Sequence, residues 1–158
     1  MDALEVYVLS GERGSDCASR FLTEFAPSRS PVATDFPYPE FVDDPTVIYD
    51  NPNELIRRLE RDGNQPYAIY WNVEVGGLSD QVMIFFTEDN GMIVGLGGPH
   101  MQPEIALSLI QRVVNGKYGY ITSCSCPPSS INAFISMCIE STLPNIFEGV
   151  LRIPRRID

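Results

Sequence analysis

The chain has 158 residues, enough for one compact domain with a real core and too few for two comfortable ones. Apolar residues make up 44%, which excludes disorder throughout, and no apolar run approaches the roughly 20 residues needed to span a bilayer. Acidic residues outnumber basic ones 21 to 11, a net charge of −10, so the surface repels nucleic acid and anionic lipid and steers basic partners toward itself.

The N-terminus, "MDALEVYVLSGERG", has no basic n-region, so the expected location is cytoplasmic. Residues 4–9 alternate and are β-branched or aromatic enough for a strand. A helix follows over 15–26, with Cys17, Phe21, Leu22 and Phe25 on one face and Ser15 as its cap. Residues 27–45 carry Pro27, Pro31, Pro37, Pro39 and Pro45 and read as a long acidic surface loop of functional interest. A short strand is expected over 46–50. Then "NPNELIRRLERDG" spells a helix capped by Asn51 or Asn53, opened by Pro52 and ended by Gly63.

The centre reads as an antiparallel meander of strands at 66–75, 81–88 and 92–98, with Tyr67, Ile69, Trp71, Val73 and Val75 sharing one face of the first. A helix over 102–117 repeats Ala106, Leu109, Ile110, Val113 and Val114 on one stripe and closes at Asn115-Gly116. A strand at 118–123 comes next. A helix within 126–140 then carries Ile131, Phe134, Ile135, Cys138 and Ile139, and a last strand is expected at 147–154. The expected fold is α+β: one domain over 1–158, with a central antiparallel sheet and helices packed on it.

Few residues suggest catalysis. His100 is the lone histidine and needs a nucleophile and an orienting acid that spacing does not supply. Cys124 and Cys126 form no paired metal motif with Cys17 and Cys138. They read as small buried thiols in a reduced compartment. No metal or cofactor is expected. Neighbours such as Asp43-Asp44 and Glu88-Asp89 point to opposite faces of an extended chain and make no carboxylate dyad.

The stretch "FFTEDNGMIVGLGG" (85–98) could be a phosphate loop or a packed hairpin. It lacks the lysine of a phosphate loop, and the charge balance is hostile to nucleotides. Two hairpin registers are open. A two-residue Asn90-Gly91 turn sets Phe86 opposite Gly95, and a bulged turn sets Phe85 there. In both, a ring covers a trough made by Gly95 and Gly97.

The segment "YAIYWNVEVGGLSDQVMIFFTEDNGMIVGLGG", with Trp71, Phe85, Phe86, Gly95 and Gly97, resembles the central meander of the deaminase-associated immunity family of bacterial polymorphic toxin systems. The similarity runs over about residues 47–114. It implies a cytoplasmic inhibitor that binds a cognate toxin domain, often basic, and has no catalysis of its own. From charge and expected exposure, the partner contacts are Asp35, Tyr38, Glu40, Asp43, Asp44, Glu88 and Asp89. The alternatives are a chaperone or adaptor for a secreted effector, and a small enzyme using Cys124, Cys126, His100 or the glycine loop.

Overall fold

The computed structural model describes residues 4–74, 76–123 and 125–140. The expected last strand at 147–154, Val75 and Cys124 lie outside them. The fold is α+β, with one six-stranded antiparallel sheet, a small two-stranded sheet and helices on both faces of the larger sheet.

The strands are β1 (Leu4–Leu9), β2 (Arg29–Pro31), β3 (Phe36–Tyr38), β4 (Val47–Tyr49), β5 (Tyr67–Val73), β6 (Gln81–Phe86), β7 (Met92–Gly98) and β8 (Gly119–Thr122). The helices are α1 (Ser15–Phe25), α2 (Pro52–Arg61), α3 (Pro103–Val114) and α4 (Ile131–Glu140). In the large sheet the order is β2-β5-β6-β7-β1-β8, so the expected meander forms its centre and β1 inserts between β7 and β8.

Two-residue alternation decides what each face buries. Val6, Val8, Ile69, Trp71, Val82, Ile84, Val94 and Leu96 point to the face covered by α1, α2 and α3. Each helix answers with its own stripe: Phe21 and Leu22, then Leu55 and Leu59, then Ala106 and Ile110. Full burial of one such large side chain stabilises by about 1.5–3 kcal/mol, so this face forms the main core. Tyr7, Met83, Phe85, Ile93 and Tyr120 point the other way, where Phe134 and Cys138 of α4 pack on them. Ile139, expected on the buried stripe of α4, is instead 43% exposed. No helix among the described residues is long and apolar enough to cross a membrane.

The caps agree in part. The Asn51 side chain accepts from the Asn53 amide at 2.8 Å, with Pro52 in the first turn of α2. Asn115 closes α3 in the left-handed region, with φ 53°. Ser15 does not cap α1. The cap position is Gly14, and the Ser15 hydroxyl donates to Glu60 on α2 at 2.9 Å.

The proline-rich segment is more ordered than its composition suggests. It contains β2 and β3, where a structureless loop was expected. Proline removes a donor, which an outermost strand tolerates, and β2 is the outer neighbour of β5 with Pro31 opposite Trp71. Among the described residues, strand β3 pairs only with β4. The Tyr67 hydroxyl donates to the Pro37 carbonyl at 2.7 Å and fastens this small sheet to the large one.

The β6–β7 hairpin departs from both expected registers. Phe86 lies opposite Met92, Phe85 opposite Ile93 and Met83 opposite Gly95. The Thr87 hydroxyl accepts from the Gly91 amide at 2.7 Å while the Thr87 amide donates to the Gly91 carbonyl at 3.0 Å. That side-chain closure makes residues 87–91 a longer loop and shifts the pairing. The ring over Gly95 belongs to Tyr7 of β1, its partner on the other side.

Candidate functional site

The hairpin of β3 and β4 leans against the end of α2. The buried Tyr38 hydroxyl donates to the Asp62 carboxylate, the Arg58 Nε donates to the same carboxylate at 2.8 Å, and the Arg58 guanidinium lies 4.5 Å from the centre of the Tyr38 ring. With Tyr38 held this way, residues 39–46 project from the small sheet, starting with a cis Tyr38-Pro39 bond. Thr46 returns the chain by donating its amide to the Tyr38 carbonyl at 2.8 Å.

Two side chains on this projection stand out. Glu40 turns inward, where its Oε1 accepts from the Ala68 amide of β5 at 3.2 Å. Pairing of β2 with β5 reaches only to Trp71, and the Val32 amide adds a bond to the Tyr70 carbonyl at 3.0 Å. Glu40 thus serves the edge of β5 beyond the end of its strand partner. Burial pushes its carboxyl from an ordinary 4.5 up to about 7, and the Ala68 hydrogen bond opposes that only in part. Phe41 turns outward. It is 93% exposed and holds a left-handed φ of 62°, a conformation that bulky residues rarely adopt.

Between them opens a cleft of about 300 Å³. Phe41 and Phe85 line it, the buried Tyr67 and Phe86 back it, Pro127 and Pro128 form part of its wall, and among the described residues Glu40 is its only acidic lining residue. Asp43 and Asp44 follow Phe41 and are exposed. Glu88 is exposed too, and its amide donates to the carbonyl of Ser129, another wall residue, at 2.9 Å. The cleft is therefore apolar inside, with carboxylates on the loops that bound it.

The expected contact residues divide accordingly. Asp35, Asp43, Asp44 and Glu88 are exposed, and Glu40 is partly buried in the cleft. Tyr38 is 3% exposed and belongs to the scaffold, because its ring and hydroxyl are both taken up by Arg58 and Asp62. Asp89 has a structural duty: its carboxylate accepts from the Ile131 amide at 2.8 and 2.9 Å and anchors the start of α4 to the hairpin tip. Sequence reasoning missed Phe41. The available signal was a lone large aromatic in "PEFVDDP", set among prolines and carboxylates.

The remaining chemical candidates are scattered. His100 is exposed in the turn before α3. Cys17 and Cys138 are buried as expected of small thiols, whereas Cys126 is exposed. Cys126 directly precedes Pro127 and Pro128, which line the cleft, and so stays outside the core. Among the described residues, no group of three His, Cys, Asp or Glu side chains is placed to hold a metal ion. Gly95 and Gly97 lie inside β7 with strands on both sides, so their amides belong to the sheet.

No family model, curated protein or solved structure matches this chain.

Proposed function

We propose that the protein is an immunity-type inhibitor that binds a cognate, basic toxin domain in the cytoplasm and works by occlusion, without chemistry of its own. The observation that carries this reading is Phe41. A phenylalanine at 93% exposure, in a backbone conformation unfavourable to bulky residues, lies beside an apolar cleft and is followed by Asp43 and Asp44. Exposing an aromatic ring in this way wastes apolar burial unless a partner covers it. Aromatic anchors supply much of the affinity at interfaces, and flanking charges supply encounter rate and choice of partner. The net charge of −10 favours a cationic partner. The resemblance of the meander to immunity proteins supplies the biological class.

The direct test is to mix the purified protein with the toxin domain encoded beside its gene and to measure complex formation and protection of cells. Phe41→Ala is expected to weaken binding by about tenfold or more while leaving the melting temperature unchanged, since the ring contributes little to the core. Full affinity in Phe41→Ala, or no complex with wild type, would overturn the reading.

A further inference from the structure

We propose that the cleft beside Glu40 receives an arginine side chain of the partner, its guanidinium stacked on the Phe41 and Phe85 rings and paired with the Glu40 carboxylate. This rests on the inhibitor reading and deepens it by naming what the site recognises.

The chemistry starts from an incomplete pairing. Glu40 Oε1 accepts one backbone hydrogen bond, and among the described residues no Lys or Arg forms an ion pair with this carboxylate. A partly buried carboxylate without a cation is costly, and one backbone donor offsets only part of that cost. An uncharged ligand filling the cleft would desolvate Glu40 further. A cation would do the reverse, restoring the lost electrostatic stabilisation as it excludes water.

The lining distinguishes between cations. Lysine presents a compact, strongly hydrated ammonium, whereas a guanidinium is planar, weakly hydrated and stacks on aromatic faces. Phe41, which is exposed, and Phe85, on the sheet face that Ala68 shares, are the aromatic surfaces available beside this carboxylate. The Tyr67 hydroxyl is committed to the Pro37 carbonyl at 2.7 Å and its ring is buried, as is that of Phe86, so both back the cleft without stacking on a ligand. The cleft, at about 300 Å³, lies at the small end of ligand sites and suits a single long side chain better than a peptide or a cofactor.

The test titrates the isotopically labelled full chain with N-acetyl-arginine methylamide and follows backbone amide shifts. The citrulline and lysine counterparts serve as comparators. The arginine compound is expected to move the Ala68 and Phe41 amides in a saturable, weak titration. Citrulline, the uncharged isostere, should not, and lysine should bind several-fold more weakly. Glu40→Gln should reduce arginine binding by about tenfold or more with the rest of the spectrum unchanged. Equal shifts from citrulline, silence at Ala68, or undiminished binding in Glu40→Gln would each overturn the proposal. Binding to the toxin domain distinguishes the arginine site from the inhibitor reading. Equal affinity for wild type and Glu40→Gln removes the arginine site and leaves the inhibitor reading intact. A complete lack of complex removes that reading, while the small-molecule titration still judges the cleft.

Discussion

At the scale of single residues, Glu40 and Gly95 show how position overrides residue type. Glu40 looks like one more carboxylate of an acidic loop, yet burial raises it to about 7. A carboxyl with a raised folded pKa holds its proton more tightly in the folded chain than in the unfolded one. Its contribution to stability is fully present below about 4.5 and is lost as pH rises through about 7. Glu40→Gln keeps an oxygen for the Ala68 amide and cannot ionise. Discounted for partial exposure, the gain is about 1 kcal/mol, so Tm should rise by about 2–4 °C at pH 8 and stay level at pH 4. Calorimetry at both pH values decides it, and an equal gain at both would remove the ionisation argument. Gly95 is a packing residue. A Cβ there would stand 2.5 Å from Tyr7 Cδ1 and 3.0 Å from the Val6 carbonyl oxygen. Tyr7 is 1% exposed and its hydroxyl donates to Glu5 at 2.8 Å, so the ring has little room to yield. Gly95→Ala should cost about 1–3 kcal/mol in urea unfolding. The glycine trough was legible in the sequence. Its occupant was not, because Tyr7 reaches it through a strand pairing formed far along the chain.

At the scale of elements, Arg13 does what no local pattern announces. Its Nε donates to the Leu59 carbonyl, Nη1 to those of Thr87 and Gly91, and Nη2 to those of Asp62 and Gln65, over 2.8–3.1 Å. The guanidinium also sits 5.0 Å from the centre of the Phe86 ring. One side chain thus joins the end of α2 to the β6–β7 loop, and that loop holds α4 through Asp89. All five N–H groups of the fork are used, which the single ammonium of a lysine cannot reproduce. Arg13→Ala should destabilise by about 2–4 kcal/mol, and Arg13→Lys should recover only a small part. Hydrogen exchange should lose protection first at residues 87–91 and in the last turn of α2. Unchanged protection there would show that the two elements hold their places without it. The helices and meander strands were readable because their periodicity is local. The hairpin register was not, because it depends on the Thr87 hydroxyl reaching the Gly91 amide, a closure that competes with the ordinary two-residue turn.

At the scale of the whole molecule, charge and sheet order divide the labour. The helices α1, α2 and α3 cover one face of the sheet, while Phe134 and Cys138 of α4 cover part of the other. The projecting 39–46 segment and the Pro127-Pro128 wall meet beside the β5–β6 end of that sheet. For an anionic protein meeting a cationic partner, long-range attraction mainly governs encounter. The association rate constant should fall by about tenfold or more between low salt and about 0.5 M, as the Debye length shrinks below about 10 Å, with a smaller change in dissociation. Stopped-flow mixing at several ionic strengths checks this, and a flat profile would place the binding energy in apolar contact alone.

The sequence by itself determined the α+β class, the meander, the spans of the main helices and the sign of the surface. Each follows from local spacing or from a sum over residues, which needs no knowledge of what lies nearby in space. It took the packed chain to show that β1 lies beside β7, that Tyr38 is scaffold while Phe41 is exposed, and that Glu40 shares a cleft with residues of β5 and β6. Those facts rest on contacts between distant segments, where the same residue types suit a buried or an exposed place until the neighbouring chain arrives.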